Sequence, residues 1–459
     1  VKFSGVLLLC LVLLTALGSF AKSLLDSVGL PNLLLALREP LMLGLAIYGI
    51  SKLNLFESKQ WVALIVAVTA FAVPYLVTAM VQDRAVVGLY YLRIYLYPFL
   101  FFLGCLGIFS SQPKDLVRNA LLRFLVRWNA VLFVISVALY VLIQTTPALT
   151  GALIGPEPLP SAWYISGGTW MRMGLPMVGP NTLGLIFSLH AFVFISVLLT
   201  RETLMQPINV SNRSLLMATM LALLGLMLTF SRSSMLLLIF GLPLVLCMHG
   251  VLNFSRFFGV GASSMGMLLL IVLIGLVVDQ TSDGYIGRWI SLNTSMSDPS
   301  MQGHFSSIDE AIAGAHEYMA WGYPKGSVGP KAVFFSSTTN NVESSFFGVF
   351  YDMGLVGGMF YWMSVLILYL TGYRSRLQAV LAWGFLFPCF LLPYVFEPDV
   401  LIYFSFMYLL LGLFTLEPAR APRVQTHRKG TIHPAPRFAV SADMTRPPRD
   451  ENNASQAYS

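Results

Sequence analysis

Residues 229–241 read TFSRSSMLLLIFG. A single arginine, Arg232, framed by Ser231, Ser233 and Ser234, interrupts an apolar run from about Leu215 to Cys247. An unpaired cation in the lipid interior costs about 3 kcal/mol on insertion scales. As one helix the run would be about 50 Å long at 1.5 Å per residue, well beyond a bilayer core. Two spans joined by a tight turn fit better, and they put Arg232 at a membrane surface rather than at the midplane.

The rest of the chain has the same character. Of 459 residues, 56% are hydrophobic and 11% charged, and the mean hydropathy is +0.74. A soluble domain would carry about 25% charged residues. The sequence therefore predicts an all-α, polytopic integral membrane protein. Windows of about 20 apolar residues give twelve candidate spans. They lie near 4–20, 33–51, 61–81, 94–110, 126–145, 181–200, 214–231, 234–249, 258–278, 345–371, 377–395 and 400–416. The first also resembles a signal peptide, with Lys2, an apolar core and small residues near Gly18, but reads better as a retained anchor. The organisation is spans 1–9 over 1–279, an external loop over 280–342, spans 10–12 over 343–416, and a Pro- and Arg-rich tail over 417–459 that reads as disordered. Cys10, Cys105, Cys247 and Cys389 all fall in apolar segments without metal-site or disulfide spacing.

Charge orients the spans. With the N-terminus inside, the cytoplasmic gaps carry Lys52, Lys59, Lys114, Arg118, Arg123, Arg127, Arg201, Arg213, Arg256, Arg374 and Arg376. With Lys2 and the tail, nineteen of the 28 Lys and Arg lie inside, as the positive-inside rule requires. Both termini are then cytoplasmic and Arg232 faces out. The net charge of +7 belongs to topology and anionic lipid, not nucleic acid, because no basic patch interleaves with aromatics.

Two outward segments are long, 146–180 and 280–342. In the second, Ser307 and Glu310 form a capping box before Ile308, Ala311, Ile312, Ala315 and Met319. This predicts an amphipathic surface helix over about 308–321. A flexible YPKGSVGPK follows, then SSTTNNVESS, with Glu343 at the start of span 10. The outward side thus offers Arg93, Arg172, Arg232, Arg288, Lys325 and Lys331, with His304, His316 and Glu343. Guanidinium groups bind phosphate oxygens through a planar fork at any working pH. Their grouping at one face suits a lipid-linked phosphate. No aspartate-rich motif for a divalent metal accompanies them, so no metal and no cofactor is expected.

Three stretches carry a resemblance: MRMGLPMVGPNTLG at 171–184, TFSRSSMLLLIFG at 229–241, and GHFSSIDEAIAGAHEYMAWGYPKGSVG at 303–329 running on to NNVESSFFGVFYDMGLVGG at 340–358. In order and spacing they resemble the O-antigen ligase/polymerase superfamily of bacterial cell-envelope proteins. The resemblance implies a metal-independent glycosyltransferase at the outer face of the inner membrane. Its donor would be an oligosaccharide on polyprenyl diphosphate, and its partners membrane lipids and other polysaccharide-assembly proteins. The acceptor would be a second lipid-linked repeat for a polymerase, or lipid A core for a ligase. Many such ligases place a histidine where this chain has Glu343, which favours polymerase.

In that reaction negative charge builds on the departing diphosphate, and fixed guanidinium groups would stabilise it. Arg232 is the first candidate, then Arg172 and Arg288, then Arg93. Each has a plainer reading: interfacial anchors for Arg232 and Arg93, solvated loop charges for Arg172 and Arg288. Activation of the acceptor hydroxyl falls to Glu343 or His304. Glu343 could equally complement a helix N-terminus. His316 reads as structural, and His190 and His249 belong to apolar spans. Two other classes share the span count: a transporter or flippase of lipid-linked oligosaccharide, and a non-catalytic export scaffold. A flippase needs charges along mid-span positions, where this sequence has few. The topology has a direct test. Phosphatase fusions are expected to be active at Ser295 and inactive at Arg374; the reverse pattern would overturn the orientation.

Overall fold

A computed structural model describes residues 33–53, 59–146, 171–177, 179–201, 208–248, 320–328, 345–392 and 397–414, with single residues 306, 309, 342, 344 and 394. Among them are ten α-helices: α1 (Leu33–Ile50), α2 (Lys59–Val81), α3 (Ala85–Ser110), α4 (Lys114–Thr145), α5 (Pro180–Thr200), α6 (Asn212–Thr229), α7 (Arg232–Met248), α8 (Ser345–Thr371), α9 (Arg376–Leu391) and α10 (Pro398–Leu411). The described residues contain no strand beyond isolated bridge residues at Met171 and Val328. All ten helices fall in one compact unit, Val1–Glu417; the second unit, Pro418–Ser459, lies outside the described residues.

Six helices are long and apolar enough to cross a membrane, α2 through α6 and α8, and four shorter apolar helices accompany them. The α3 and α5 windows are buried over most of their length, whereas α2 and α4 bury little more than a quarter. The outward face of α2 is Val62, Ile65, Val66, Val73 and Val77, all exposed. A face that is as apolar outside as inside would be a large hydrophobic patch in water. In lipid it is the expected surface, with every backbone group satisfied within its own helix. The described part has the construction of a membrane-embedded protein.

The helices sit close to ten of the twelve expected spans. The first and ninth spans lie outside the described residues, as do the tail and most of the 280–342 loop. Of the amphipathic helix expected over 308–321, Asp309 is helical and exposed and 320–321 form a turn. Two boundaries differ. Helix α3 starts at Ala85 rather than near 94, because the chain reverses within three residues: Asp83 takes a left-handed φ of 55° and Arg84 N–H donates to Ala79 O at 2.8 Å. Helix α4 starts at Lys114 rather than near 126. Its 32 residues measure about 48 Å, longer than a bilayer core, so its basic first turns extend past the apolar part.

Polar contacts inside the bundle tie the helices together. Asn129 donates to Ala218 O at 2.9 Å and its Oδ1 lies 2.8 Å from His190 Nδ1, joining α4, α6 and α5. Trp128 donates to the Tyr403 hydroxyl at 2.9 Å, joining α4 to α10. Where α8 gives way to α9, Gln378 bridges Gly372 O, Tyr408 O and the Ser375 N–H.

Helix α8 breaks at Gly354, whose φ of 74° lies in the left-handed region. A break frees carbonyls of the preceding turn, and near lipid they need partners from the protein. Residues 320–328 supply them. Tyr323 N–H donates to Tyr351 O at 2.8 Å, and the Lys325 ammonium donates to Asp352 O and to Trp321 O at 3.2 Å. The ammonium also lies 4.5 Å from the Tyr75 ring centroid. The α2–α3 turn holds the same segment by its backbone: Arg84 donates to Lys325 O at 2.9 Å and Lys325 N–H to Gln82 Oε1 at 3.0 Å. Below the break, Tyr75 and Tyr95 donate to Asp352 Oδ2 at 2.9 and 2.7 Å. Burial pushes the Lys325 ammonium below the usual lysine range, and the nearby Asp352 carboxylate opposes that shift. The flexible segment expected after residue 322 is thus, as far as Val328, a strap fixed to α8 by buried hydrogen bonds.

The strap fits only because Gly322 and Gly354 pass each other without side chains. A Cβ on Gly354 would lie 2.4 Å from Ala320 O. Gly354→Ala is expected to cost about 2 kcal/mol or more, from a disfavoured φ and a backbone collision. Gly44→Ala, where nothing lies within 4 Å, should be neutral or slightly stabilising. Thermal midpoints of the detergent-solubilised variants check this; equal midpoints would contradict the packing.

Candidate functional site

The first two quoted stretches meet around Asn181. The turn between α6 and α7 is as tight as the sequence demands. Helix α6 ends at Thr229, Phe230 takes a left-handed conformation (φ 51°, ψ 31°), Ser231 is buried, and Arg232 begins α7. Asn181, in the first turn of α5, receives this turn on both of its oxygens. Its Oδ1 accepts from Arg172 Nη2 at 2.9 Å and from Ser231 Oγ at 3.2 Å. Its backbone O accepts from Ser234 Oγ at 3.1 Å and from the Tyr394 hydroxyl at 3.3 Å. Gly184, one turn along α5, permits this closeness: a Cβ there would lie 2.6 Å from Thr229 Oγ1 and 2.7 Å from Ser231 Cβ. Ser231 and Ser234 share a 2.6 Å hydrogen bond that completes the hydroxyl group.

The end of α9 and the start of α10 close the other side. Thr182 Oγ1 donates to Glu397 Oε2 at 2.6 Å, and Glu397 N–H donates to Tyr394 O at 3.0 Å. The start of α8, in the third quoted stretch, bonds the same connection: Ser345 N–H and Oγ both donate to Leu392 O, at 3.0 and 2.5 Å. So the N-termini of α5, α7 and α10 converge, with that of α8 joined through Leu392. A helix N-terminus presents unpaired N–H groups and a partial positive charge. Helix ends gathered this way, with arginine and serine side chains, form a cradle suited to an anion such as phosphate.

The expected site residues fare differently. Arg172 is half-buried, not a solvated loop charge. Its Nε donates to Thr229 O at 2.9 Å and its Nη2 to Phe230 O at 3.1 Å, so it caps the negative end of α6. Arg232 is half-buried at the start of α7, next to the Ser231–Ser234 pair. Arg93 stands apart, in the third turn of α3 rather than at a span entrance. It is ion-paired with Glu39 of α1, and its guanidinium carbon lies 4.6 Å from the Tyr90 ring centroid and 5.5 Å from that of Tyr97. Arg288, His304 and Glu343 lie outside the described residues. Among the described residues no cluster of three or more His, Cys, Asp or Glu could hold a metal.

Asn181, Thr182, Tyr394 and Glu397 are the site residues that sequence reasoning passed over. Asn181 and Thr182 lie within the quoted GPNTLG, and Glu397 is a carboxylate in the short gap between two apolar helices. That position carried a signal of the same kind as Arg232. Compared with family models, curated proteins and solved structures, the chain matches none.

The capping role of Arg172 has a direct test. Arg172→Ala strips a cap from the α6 end and should lower the thermal midpoint and the amount of protein in the membrane, a loss of about 1.5–3 kcal/mol for hydrogen bonds to a charged group. A midpoint and abundance equal to wild type would contradict the cap.

Proposed function

We propose that the protein is a polysaccharide polymerase, a glycosyltransferase that joins polyprenyl-diphosphate-linked oligosaccharide repeats at the outer face of the bacterial inner membrane, with both termini in the cytoplasm. The observation that carries the reading is the cradle of helix N-termini, serines and arginines at one end of a membrane-embedded bundle. A lipid-linked donor keeps its diphosphate at the headgroup level, where such helix ends lie. Within the cradle Arg172 is committed to the α6 carbonyls and to Asn181, so it shapes the pocket. Arg232, at the head of α7, is the group that would clamp the leaving diphosphate, with Ser231, Ser233 and Ser234 as neighbouring hydroxyls. Arg288, His304 and Glu343 belong to the same outward loop system in this reading. Transfer to lipid A core by a ligase would use the same donor chemistry with another acceptor.

The cradle argues against a flippase. A translocation path lines mid-span positions with charge. Among the described residues, the charges within the apolar helices are matched: the Asp352 carboxylate is fully buried and hydrogen-bonded to Tyr75 and Tyr95, and Arg93 is ion-paired with Glu39.

The test is polymer formation from lipid-linked repeats by purified protein in proteoliposomes, with chelator present throughout. Wild type is expected to elongate the repeats without nucleotide or metal. Arg232→Ala should lose roughly 100-fold in turnover, since a lost transition-state donor typically costs about 2.7–4 kcal/mol. Arg232→Lys keeps the charge without the fork and should remain strongly impaired. Near-normal specific activity in both variants would return Arg232 to an interfacial anchor.

A further inference from the structure

The transfer needs a group to take the proton from the acceptor hydroxyl. We propose that Glu397 is that group, an inference resting on the transferase reading above. The argument is one of position. Asn181 and Thr182 are consecutive residues at the head of α5, with Cα atoms about 3.8 Å apart. The first holds the guanidinium of Arg172 and the hydroxyl of Ser231; the second holds the carboxylate of Glu397 through a 2.6 Å hydrogen bond. The same two residues thus fix the cationic side of the cradle and a carboxylate beside it. Thr182 is almost fully buried while Glu397 is half-exposed, so one carboxylate oxygen is oriented from within the protein by a group that does not move with solvent.

Asp352 is sealed under the strap with Tyr75 and Tyr95. Glu39 belongs to α1 and Asp83 to the α2–α3 turn, and Asp115 lies at the opposite end of the bundle. Asp399 follows two residues on in the first turn of α10, and Glu397 is hydrogen-bonded to the residue next to Asn181.

The step balances without a further reagent. A lone pair of the acceptor hydroxyl oxygen forms a bond to the anomeric carbon of the donor sugar. The bond from that carbon to the diphosphate oxygen breaks, and its electron pair leaves with the polyprenyl diphosphate beside Arg232. The hydroxyl proton passes to the Glu397 carboxylate and then to solvent. Thr182 acts as a positioning residue, holding the carboxylate by its other face.

The experiment uses the full chain in proteoliposomes with lipid-linked repeats, and rates are normalised to folded, inserted protein. Glu397→Gln keeps the size of the side chain and an oxygen for Thr182, but removes the base. Its kcat should fall at least about 100-fold with KM nearly unchanged, within the usual range for a general base. In Glu397→Ala, added formate should raise the rate by about tenfold or more, because a diffusible carboxylate replaces the missing one. A merely structural Glu397 would not respond to formate. Three results overturn the role: a Gln variant near wild-type kcat, an Ala variant that formate does not restore, or a Gln variant that fails to accumulate, which would make Glu397 part of the scaffold. Glu343→Gln and His304→Gln run alongside, and loss of kcat in either with Glu397→Gln unimpaired assigns the proton to that residue instead. If wild type itself forms no product, the transferase reading fails, which is a different outcome from an active wild type with an indifferent Glu397.

Discussion

A carbonyl at a helix end inside or beside lipid has no water to accept from, and two cations of this chain answer that need. Arg172 caps the last carbonyls of α6 at the α6–α7 turn. Lys325 caps the carbonyl that Gly354 frees where α8 breaks. Both side chains would be costly in this setting without such partners. With them, each converts an interrupted helix into a fixed point for the segments around it. The same requirement accounts for Gly322, Gly354 and Gly184, since a cap works only if the capping segment can approach the helix backbone.

Capping has an electrostatic consequence. Once Arg172 has compensated the negative end of α6, the polar ends left around Asn181 are the N-termini of α5 and α7, since Glu397 and Asp399 already stand at that of α10. The α5 and α7 ends favour an anion, and Arg232 adds a full charge to them. A division of labour between two arginines sixty positions apart thus follows from which helix end each one meets. Arg172 meets a C-terminus and stabilises it. Arg232 sits on an N-terminus, where its charge adds to the helix dipole instead of cancelling it.

Much of this end was legible in the sequence, and what was not has a physical reason. The spans were readable because lipid demands about 20 apolar residues per crossing, so α5, α7 and α8 fall where hydropathy puts them. The tight turn at Arg232 was readable from length alone. The start of α3 was not, because Tyr90, Tyr91 and Arg93 look like a loop to a hydropathy window, although Arg93 finds Glu39 one helix away. Asn181, Thr182 and Glu397 carry no periodic signal: each is a single polar residue, and its meaning lies in contacts 9 to 215 positions distant. Arg172 was singled out for its charge, but two of its partners are backbone carbonyls, which sequence does not distinguish. Lys325 was expected in a flexible segment because Gly and Pro surround it, and those residues instead shape the strap.

Helix α8 connects the two capped regions. Ser345 in its first turn bonds the α9–α10 connection beside the cradle, and Asp352, seven residues on, carries the strap. Seven residues of helix measure about 10 Å. The strap is therefore anchored roughly one and a half nanometres or less from the start of α8, on a helix that also supports the site. The broken helix, the buried lysine and the glycine pair then have one role in common: they fix residues 320–328 to α8, the helix whose first turn bonds the α9–α10 connection beside the cradle.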